Sequence, residues 1–329
     1  LEINIYYISL KLLANDIVIL KTTLSIMNIL ITGGTGLVGS RLTALLIAQG
    51  HTVSHLSRTP TNTNTQVKTY HWDIAKGIID DEALLQADYL VHLAGAGIAD
   101  KPWTDARKQE IIFSRTASIE LIAKKLGSLK HHIKAFVSAS GIGYYGADTG
   151  EERISEEYPH GHDFVATCTL AWEASADTIA TLGIRTTKLR IGIVLSNQGG
   201  ALPKITLPIK WGVGAALGTG KQFQSWIHID DLCKLFIKSL FDEQMKGIYN
   251  AVAPNPATNR TLTRLSAKVL KRPLWLPNVP AFALKLVFGE LACLVLGGNY
   301  VLNNRIKKET DFVYQFEDLS LALNDILSH

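Results

Sequence analysis

Cysteine is almost missing from this 329-residue chain: Cys168, Cys233 and Cys293 are the only three, odd in number and far apart. That excludes a disulfide framework and any zinc-ligand spacing, and it suits a reducing, cytoplasmic setting. Long apolar runs are also lacking. The most apolar stretch, 281–298, is interrupted by Lys285 and Glu290 and falls short of the ~20 residues a membrane span needs. It reads as an amphipathic helix pair in a core, and no membrane partner is expected. Runs of like charge are absent as well. The 33 basic and 29 acidic residues look interspersed, for a net charge of +4, which excludes a nucleic-acid-binding tail.

Charged residues make up only 19% of the chain against 47% hydrophobic, with a mean hydropathy of +0.14. Disorder is thereby excluded and a large core expected. The length suggests about two structural units. Residues 1–26 are apolar, with Lys11, Asp16 and Lys21 scattered through them and no small-residue cleavage site, so they do not make a signal peptide. With Met27 directly before a strong strand, they are expected to lie outside the fold as an extension.

From Met27 the pattern alternates. Apolar runs at 28–32, 52–56, 67–72, 89–93, 135–138 and 186–194 read as six strands. Between them, Val38, Leu42, Leu45 and Leu46 form one helix face that ends before Gly50, and a short helical piece lies near Ala83. Thr104 can cap a long helix to about Leu126, and a further helix spans 164–182. Strand, helix, strand at this spacing predicts an α/β fold, a Rossmann-type doubly wound parallel sheet. After Leu195, Gly and Pro thicken into long loops. A helix from Asp230 and a strand at 247–250 follow, and then a mostly helical end. The expected domains are 27–195, also receiving about 225–252, and a smaller substrate unit of 196–224 and 253–329.

The strongest local signal is Gly33-x-x-Gly36-x-x-Gly39, with Thr35 inside it, between a strand and a helix. A dinucleotide needs such glycines for a tight turn, close backbone approach to the pyrophosphate and close helix–sheet packing. The helix N-terminus supplies free N–H groups to the phosphates. A carboxylate at the end of the second strand would bind the ribose 2′-hydroxyl of NAD. Ser57-Arg58 stands there instead, a hydroxyl and a guanidinium fork that suit a 2′-phosphate. NADP(H) is the expected cofactor, the alternative for Arg58 being a solvated surface side chain.

Ile31-Thr-Gly-Gly-Thr-Gly-Leu-Val-Gly39, Leu93-Ala94-Gly95 and the serine-rich strand end before Tyr145-Gly146 resemble the extended short-chain dehydrogenase/reductase superfamily. More narrowly, the chain is similar to its atypical branch, the NAD-dependent epimerase/dehydratase-like "epimerase family" oxidoreductases. The motifs that carry this are Ser57-Arg58, Trp103 with Glu110 and Ser114-Arg115, Gly143-Tyr144-Tyr145-Gly146 and Trp172-Glu173. Leu189-Arg-Ile-Gly-Ile-Val194, Ser225-Trp-Ile-His-Ile-Asp-Asp231 and Ala253-Pro-Asn-Pro256 complete the set. The likeness runs from Met27 nearly to the C-terminus and includes a short C-terminal helical domain. It implies that Leu37, Val38, Leu93 and Ala94 line the cofactor, that Glu110 and Arg115 contact it, and that Val194 sits near the nicotinamide. From the residues alone, Glu110 and Arg115 read equally well as a solvated pair on a helix. The chain departs from the family at Gly297-Gly298-Asn299 and Asn303, where Ser and Pro are usual, and at Thr310-Asp311-Phe312, where Gly-Phe is usual.

Ordinary short-chain reductases pair a Ser with a Tyr-x-x-x-Lys in which the phenol moves the proton. Here Ser140 fits the Ser position, but Cys168 and Trp172 stand where Tyr and Lys belong, and the only Tyr-x-x-x-Lys is Tyr7 with Lys11. A positioned general acid is worth about 10²–10⁴-fold in rate, so another group must supply the proton or turnover is poor. Tyr144 and Tyr145 are the nearest phenols, Tyr144 being the candidate, with pocket wall or packing as their alternative. Cys168 is a weaker candidate nucleophile, because buried helix cysteines are mostly inert. No metal site is expected: His160, His162 and Asp163 lie on a loop with Pro159 and Gly161. His228 with Asp230 and Asp231 reads as a helix start, while Trp211 and Trp226 line either a substrate wall or a core. Two functions remain open. One is an NADP(H)-dependent oxidoreductase or epimerase-like enzyme, a monomer or homodimer, acting on a small polar or sugar-like substrate. The other is a non-catalytic NADP(H)-binding redox sensor.

Overall fold

The computed structural model describes residues 26–59 and 66–328. The expected extension therefore falls, apart from Ile26, outside the described residues, as do Tyr7 and Lys11. One eight-stranded sheet organises the chain: β1 Asn28–Thr32, β2 Thr52–Ser57, β3 Lys68–Asp73, β4 Ile78–Ile79, β5 Tyr89–His92, β6 Ala135–Gly141, β7 Arg185–Ile191 and β8 Gly247–Ala251. Their spatial order is β8-β7-β6-β5-β1-β2-β3-β4, and every pair is parallel except β3 with β4. The order reverses between β1 and β5, and the crevice at the carboxyl ends of those two strands is where such sheets bind ligands.

Strand periodicity sends alternate residues to opposite faces. Ile29, Ile31, Val53, Val91 and Val137 pack under helices α1 (Leu37–Ala48) and, later in the chain, Ile229–Phe241. Leu30, Leu56, Leu90 and Phe136 pack under α2 (Asp105–Leu126) and α3 (Phe164–Ala180). Both faces are covered, which explains why the strands read as continuous apolar runs. Thr104 caps α2 by accepting from the Arg107 N–H, and Asp163 caps α3 by accepting from that of Ala166.

The expected sixth strand, 186–194, is two strands. β7 ends at Ile191, and Ile193–Leu195 leaves the sheet to pair with Trp226–His228. Gly192 permits the departure: a Cβ there would meet the Ser225 carbonyl and lie 2.9 Å from Val252 Cγ1. Beyond it a second core forms, from Leu195, Leu202, Trp226, Leu262, Phe316 and Leu323. It gathers helices 201–210, 259–269 and 319–327.

For this region one open alternative is decided, that for Trp226, and two expectations are corrected, those for Trp211 and for 281–298. Trp226 takes the core reading, its indole donating to the Asn255 carbonyl at 2.9 Å, whereas Trp211 is exposed and takes neither reading, and neither lines the two cavities described below. The stretch 281–298 is not a core helix pair, since helix Ala281–Phe288 buries only Leu284 and Cys293–Leu296 buries nothing.

Lys271, just past helix 259–269, has φ +53° and is the one non-glycine residue at positive φ among those described. A left-handed conformation costs a side chain roughly 1–2 kcal/mol, partly offset in a glycine variant by its freer unfolded chain. Lys271→Gly is therefore expected to stabilise the protein by about 0.5–1 kcal/mol in urea denaturation.

Candidate cofactor and substrate site

The glycine loop runs straight from β1 into α1 and does mechanically what its spacing suggests. Gly33 has φ +69°, and a Cβ on it would lie 2.8–2.9 Å from the Leu93–Ala94 backbone. A Cβ on Gly39 would meet the Gly33 carbonyl and lie 2.7 Å from Gly34 Cα. The β5 end is held by Thr32, whose Oγ1 accepts from both the Leu93 and Ala94 N–H groups at 3.2 Å. No side chain caps the start of α1 and no acidic residue stands in its first turn. Its partial positive charge is therefore open to an anion.

Beside the loop is a cavity of about 280 Å3, lined by Gly33, Thr35, Ser40, Thr43, His55 and Ser57 among others, without a carboxylate. His55 packs against Gly34 and bonds Thr43 at 2.9 Å. Burial lowers its pKa, so the ring sits there neutral. Ser57 Oγ donates to the Thr59 carbonyl and accepts from the Thr59 N–H, which closes a turn at the strand end. Arg58 on that turn is exposed.

A second cavity, also about 280 Å3, lies between the carboxyl end of the sheet and the small unit. Glycines and apolar side chains form most of its wall. The polar groups there are Arg115, Cys168, Thr169, the Trp172 indole, Gln224, Ser225 and Asn299. Arg115 stacks on the Trp172 ring with its Cζ 5.0 Å from the centroid and donates to the Ile111 carbonyl at 2.9 Å. Burial raises the pKa of Cys168, which keeps it a thiol rather than a nucleophilic anion. Two buried atoms of wall residues, Trp172 Nε1 and Gln224 Oε1, have no hydrogen-bond partner among the described residues. Gly297 and Gly298, at the family departure, press on the Ala147 and Phe223 backbones and close one side. Lys108 of α2 pairs with Glu290 at 2.6 Å.

The half-buried side chains Leu37, Val38, Leu93 and Val194 pack on one shared core at this end of the sheet, so the structure brings these expected residues together. Ala94 and Gly95 follow at the β5 end, and Gly95 faces the Arg115 guanidinium. Glu110 stands apart: it is exposed, pairs with Arg107 at 2.7 Å and lines neither cavity. Below the crevice, buried His92 bonds Ser118 at 2.8 Å, and burial together with the Arg115 charge lowers its pKa to about 3.

Ser140 and Tyr144 line neither cavity. The Ser140 hydroxyl donates to Glu173 Oε1 at 2.6 Å. Glu173 accepts from Arg190 Nε at 2.8 Å and from Nη2 at 2.9 Å, and all three residues are buried. The same guanidinium donates to Tyr145 Oη at 3.0 Å and lies 3.3 Å from the Tyr144 ring centroid. Burial pushes the Arg190 pKa down, but the hydrogen bonds and charge of Glu173 outweigh it, so the net direction is up. Burial pushes Tyr145 up to about 12. Sequence reasoning quoted Glu173 and Arg190 only as motif letters; that one would neutralise the other was not visible in their spacing.

The remaining candidates are structural. Asp163, besides capping α3, accepts from the Ala147 N–H. His228 caps helix 229–241 by accepting from the Asp230 N–H, Asp230 grips Arg41 of α1 with two bonds, and Asp231 accepts from the Gln315 and Phe316 N–H groups.

A family model described as the NAD dependent epimerase/dehydratase family matches residues 29–251, and a domain of unknown function, DUF1731, matches 279–326. The chain is 33% identical over 302 residues to the epimerase family protein YfhF of Bacillus subtilis, covering 92% of this chain and 98% of that one. It is 32% identical over 306 residues to the mouse epimerase family protein SDR39U1, covering 92% and 100%. Among solved structures, human SDR39U1 with NADPH superposes with a TM-score of 0.81 at 32% identity, over 92% of this chain and 100% of that one. A nucleoside-diphosphate sugar epimerase from Corynebacterium glutamicum gives 0.74 at 30% identity, over 92% and 58%.

Proposed function

The chain belongs to the NAD dependent epimerase/dehydratase family, and from that premise we propose that it is an NADP(H)-dependent oxidoreductase or epimerase-like enzyme acting on a small polar substrate. The observation that carries the cofactor choice is the carboxylate-free cavity between the glycine loop and the end of β2. In this reading the N–H groups at the start of α1 take the pyrophosphate. Ser57 and Arg58 take the 2′-phosphate, while Leu93, Ala94 and Val194 face the nicotinamide half. Arg115 closes the cofactor side of the second cavity, and Glu110 belongs to the surface. NADP(H) supplies hydride chemistry when bound. The NADPH in the human SDR39U1 crystal supports the same choice.

The residues of the second cavity would hold the substrate. A molecule with one acceptor and one donor group would complete Trp172 Nε1 and Gln224 Oε1, and a sugar-like polyol has both. The wall excludes water on its glycine and apolar side. It offers no group tuned to move a proton near neutral pH, so turnover on ordinary carbonyls should be slow.

Arg58→Ala tests the cofactor assignment. In calorimetric titration NADPH affinity should fall about tenfold or more, the worth of a charge-assisted phosphate contact, with NADH binding unchanged. Equal losses for both dinucleotides would contradict a 2′-phosphate contact. One observation favours the second reading, a non-catalytic NADP(H)-binding sensor: the Ser140 hydroxyl is committed to Glu173. A panel of aldehydes, ketones and nucleotide sugars separates the two. Tight NADPH binding with no turnover on any member favours the sensor.

A further inference from the structure

Two stretches of the small unit are charged differently from the rest of the chain. Residues 196–224 contain three basic residues and 253–288 contain six, and neither stretch holds a single Asp or Glu. The mild overall charge conceals this. The same unit shows large apolar side chains to solvent: Trp211 is 73% exposed, Trp275 68%, Phe282 75% and Leu286 85%, with Val287 and Phe288 beside them. They belong to one continuous edge. The Trp275 indole donates to the Gly212 carbonyl at 2.8 Å, and the Val279 and Gly218 N–H groups tie segment 275–280 to 212–218. That segment leads through Pro280 directly into helix 281–288. Lys210, Lys271, Arg272 and Lys285 are interleaved with these side chains and exposed, and no ion pair engages them among the described residues.

We propose that this edge docks on an anionic lipid surface, with the Trp and Phe side chains in the headgroup boundary and the interleaved Lys and Arg on the lipid phosphates. Aromatic and aliphatic side chains beside unpaired cations, without acids, are the composition of an interfacial membrane contact. A solvent-facing monomer surface rarely leaves so many large apolar side chains uncovered. A second copy of this chain is the poorer occupant, because pairing the edge with itself would bring two acid-free basic surfaces together. The contact is peripheral. Among the described residues no helix is long and apolar enough to cross a membrane. It therefore revises the expectation of no membrane partner without adding a span.

The test is sedimentation of the full chain with sucrose-loaded vesicles of phosphatidylcholine alone or mixed with phosphatidylglycerol, at low and high salt. The chain should pellet only with the mixed vesicles and be released by salt. Phe282→Ser with Leu286→Ser should lower binding by about tenfold or more while NADPH affinity and the unfolding midpoint hold. Lys271→Gly is the sharper variant: it should stabilise the fold yet weaken vesicle binding about fivefold for the one charge lost. Three results overturn the proposal. They are no pelleting with either vesicle, equal and salt-insensitive pelleting with both, or a solution dimer that Leu286→Ser dissociates.

Discussion

Replacing Glu173 by Ala is expected to cost about 3–5 kcal/mol of folding stability, because it strands the Arg190 guanidinium inside the protein. Arg190 is only 1% exposed. Its Nε and Nη2 protons have no other carboxylate within bonding distance among the described residues. Ser140→Ala, by contrast, removes one neutral donor and leaves the pair intact, a loss of about 1 kcal/mol. Urea denaturation followed by circular dichroism measures both. A double change to apolar residues of similar volume, Glu173→Leu with Arg190→Met, should recover much of the loss, since desolvating the pair is itself expensive. A Glu173→Ala variant as stable as wild type would mean that the ion pair is not what organises this end of the sheet.

Gly39→Val is expected to abolish cofactor binding in practical terms, with NADPH affinity falling on the order of a hundredfold, about 2.7 kcal/mol. The new side chain enters space held by the Gly33 carbonyl and the Gly34 backbone. The loop cannot yield easily. Gly33 already presses on the Leu93–Ala94 backbone, which Thr32 pins through two hydrogen bonds. Calorimetric titration with NADPH reads the effect, and near-ultraviolet circular dichroism reports whether the core persists. Undiminished affinity in a folded variant would remove the glycine loop from the binding site.

What could be read from the sequence was local or periodic. The strands β1, β2, β3, β5 and β6, the Thr104 cap and the glycine loop all follow from neighbours within a few positions. Contacts between distant residues were not legible. Ile193 and Val194 continue the apolar run of β7, so nothing local signals that the Ser225 carbonyl draws the chain away at Gly192. Ser140 matched a catalytic position by motif, yet its environment is set by Glu173 and Arg190 on other elements. Trp211 and Trp226 both come after Leu195, where Gly and Pro thicken in the sequence, yet their burial is opposite. The basic character of the small unit was legible in principle. Only its assembly from two separated stretches gives it meaning, and a whole-chain count averages it away.

Gly192, Ser225 and Val252 meet where the chain passes between the sheet and the second core: a Cβ on Gly192 would contact both the Ser225 carbonyl and Val252 Cγ1. Neighbouring backbones there are laced together: the Ile193 N–H bonds the Ser225 carbonyl at 2.8 Å, and the Ala253 N–H bonds that of Trp226 at 2.6 Å. Such a junction is a fulcrum. Any rocking of the second core against the sheet would leave it nearly still. The second cavity, lined by Gly192 and Ser225 themselves, therefore sits at the still point, and its wall is laced across as well, Asn299 Nδ2 donating to the Gly146 carbonyl at 2.8 Å and the Gly298 N–H to Asp148 at 3.2 Å.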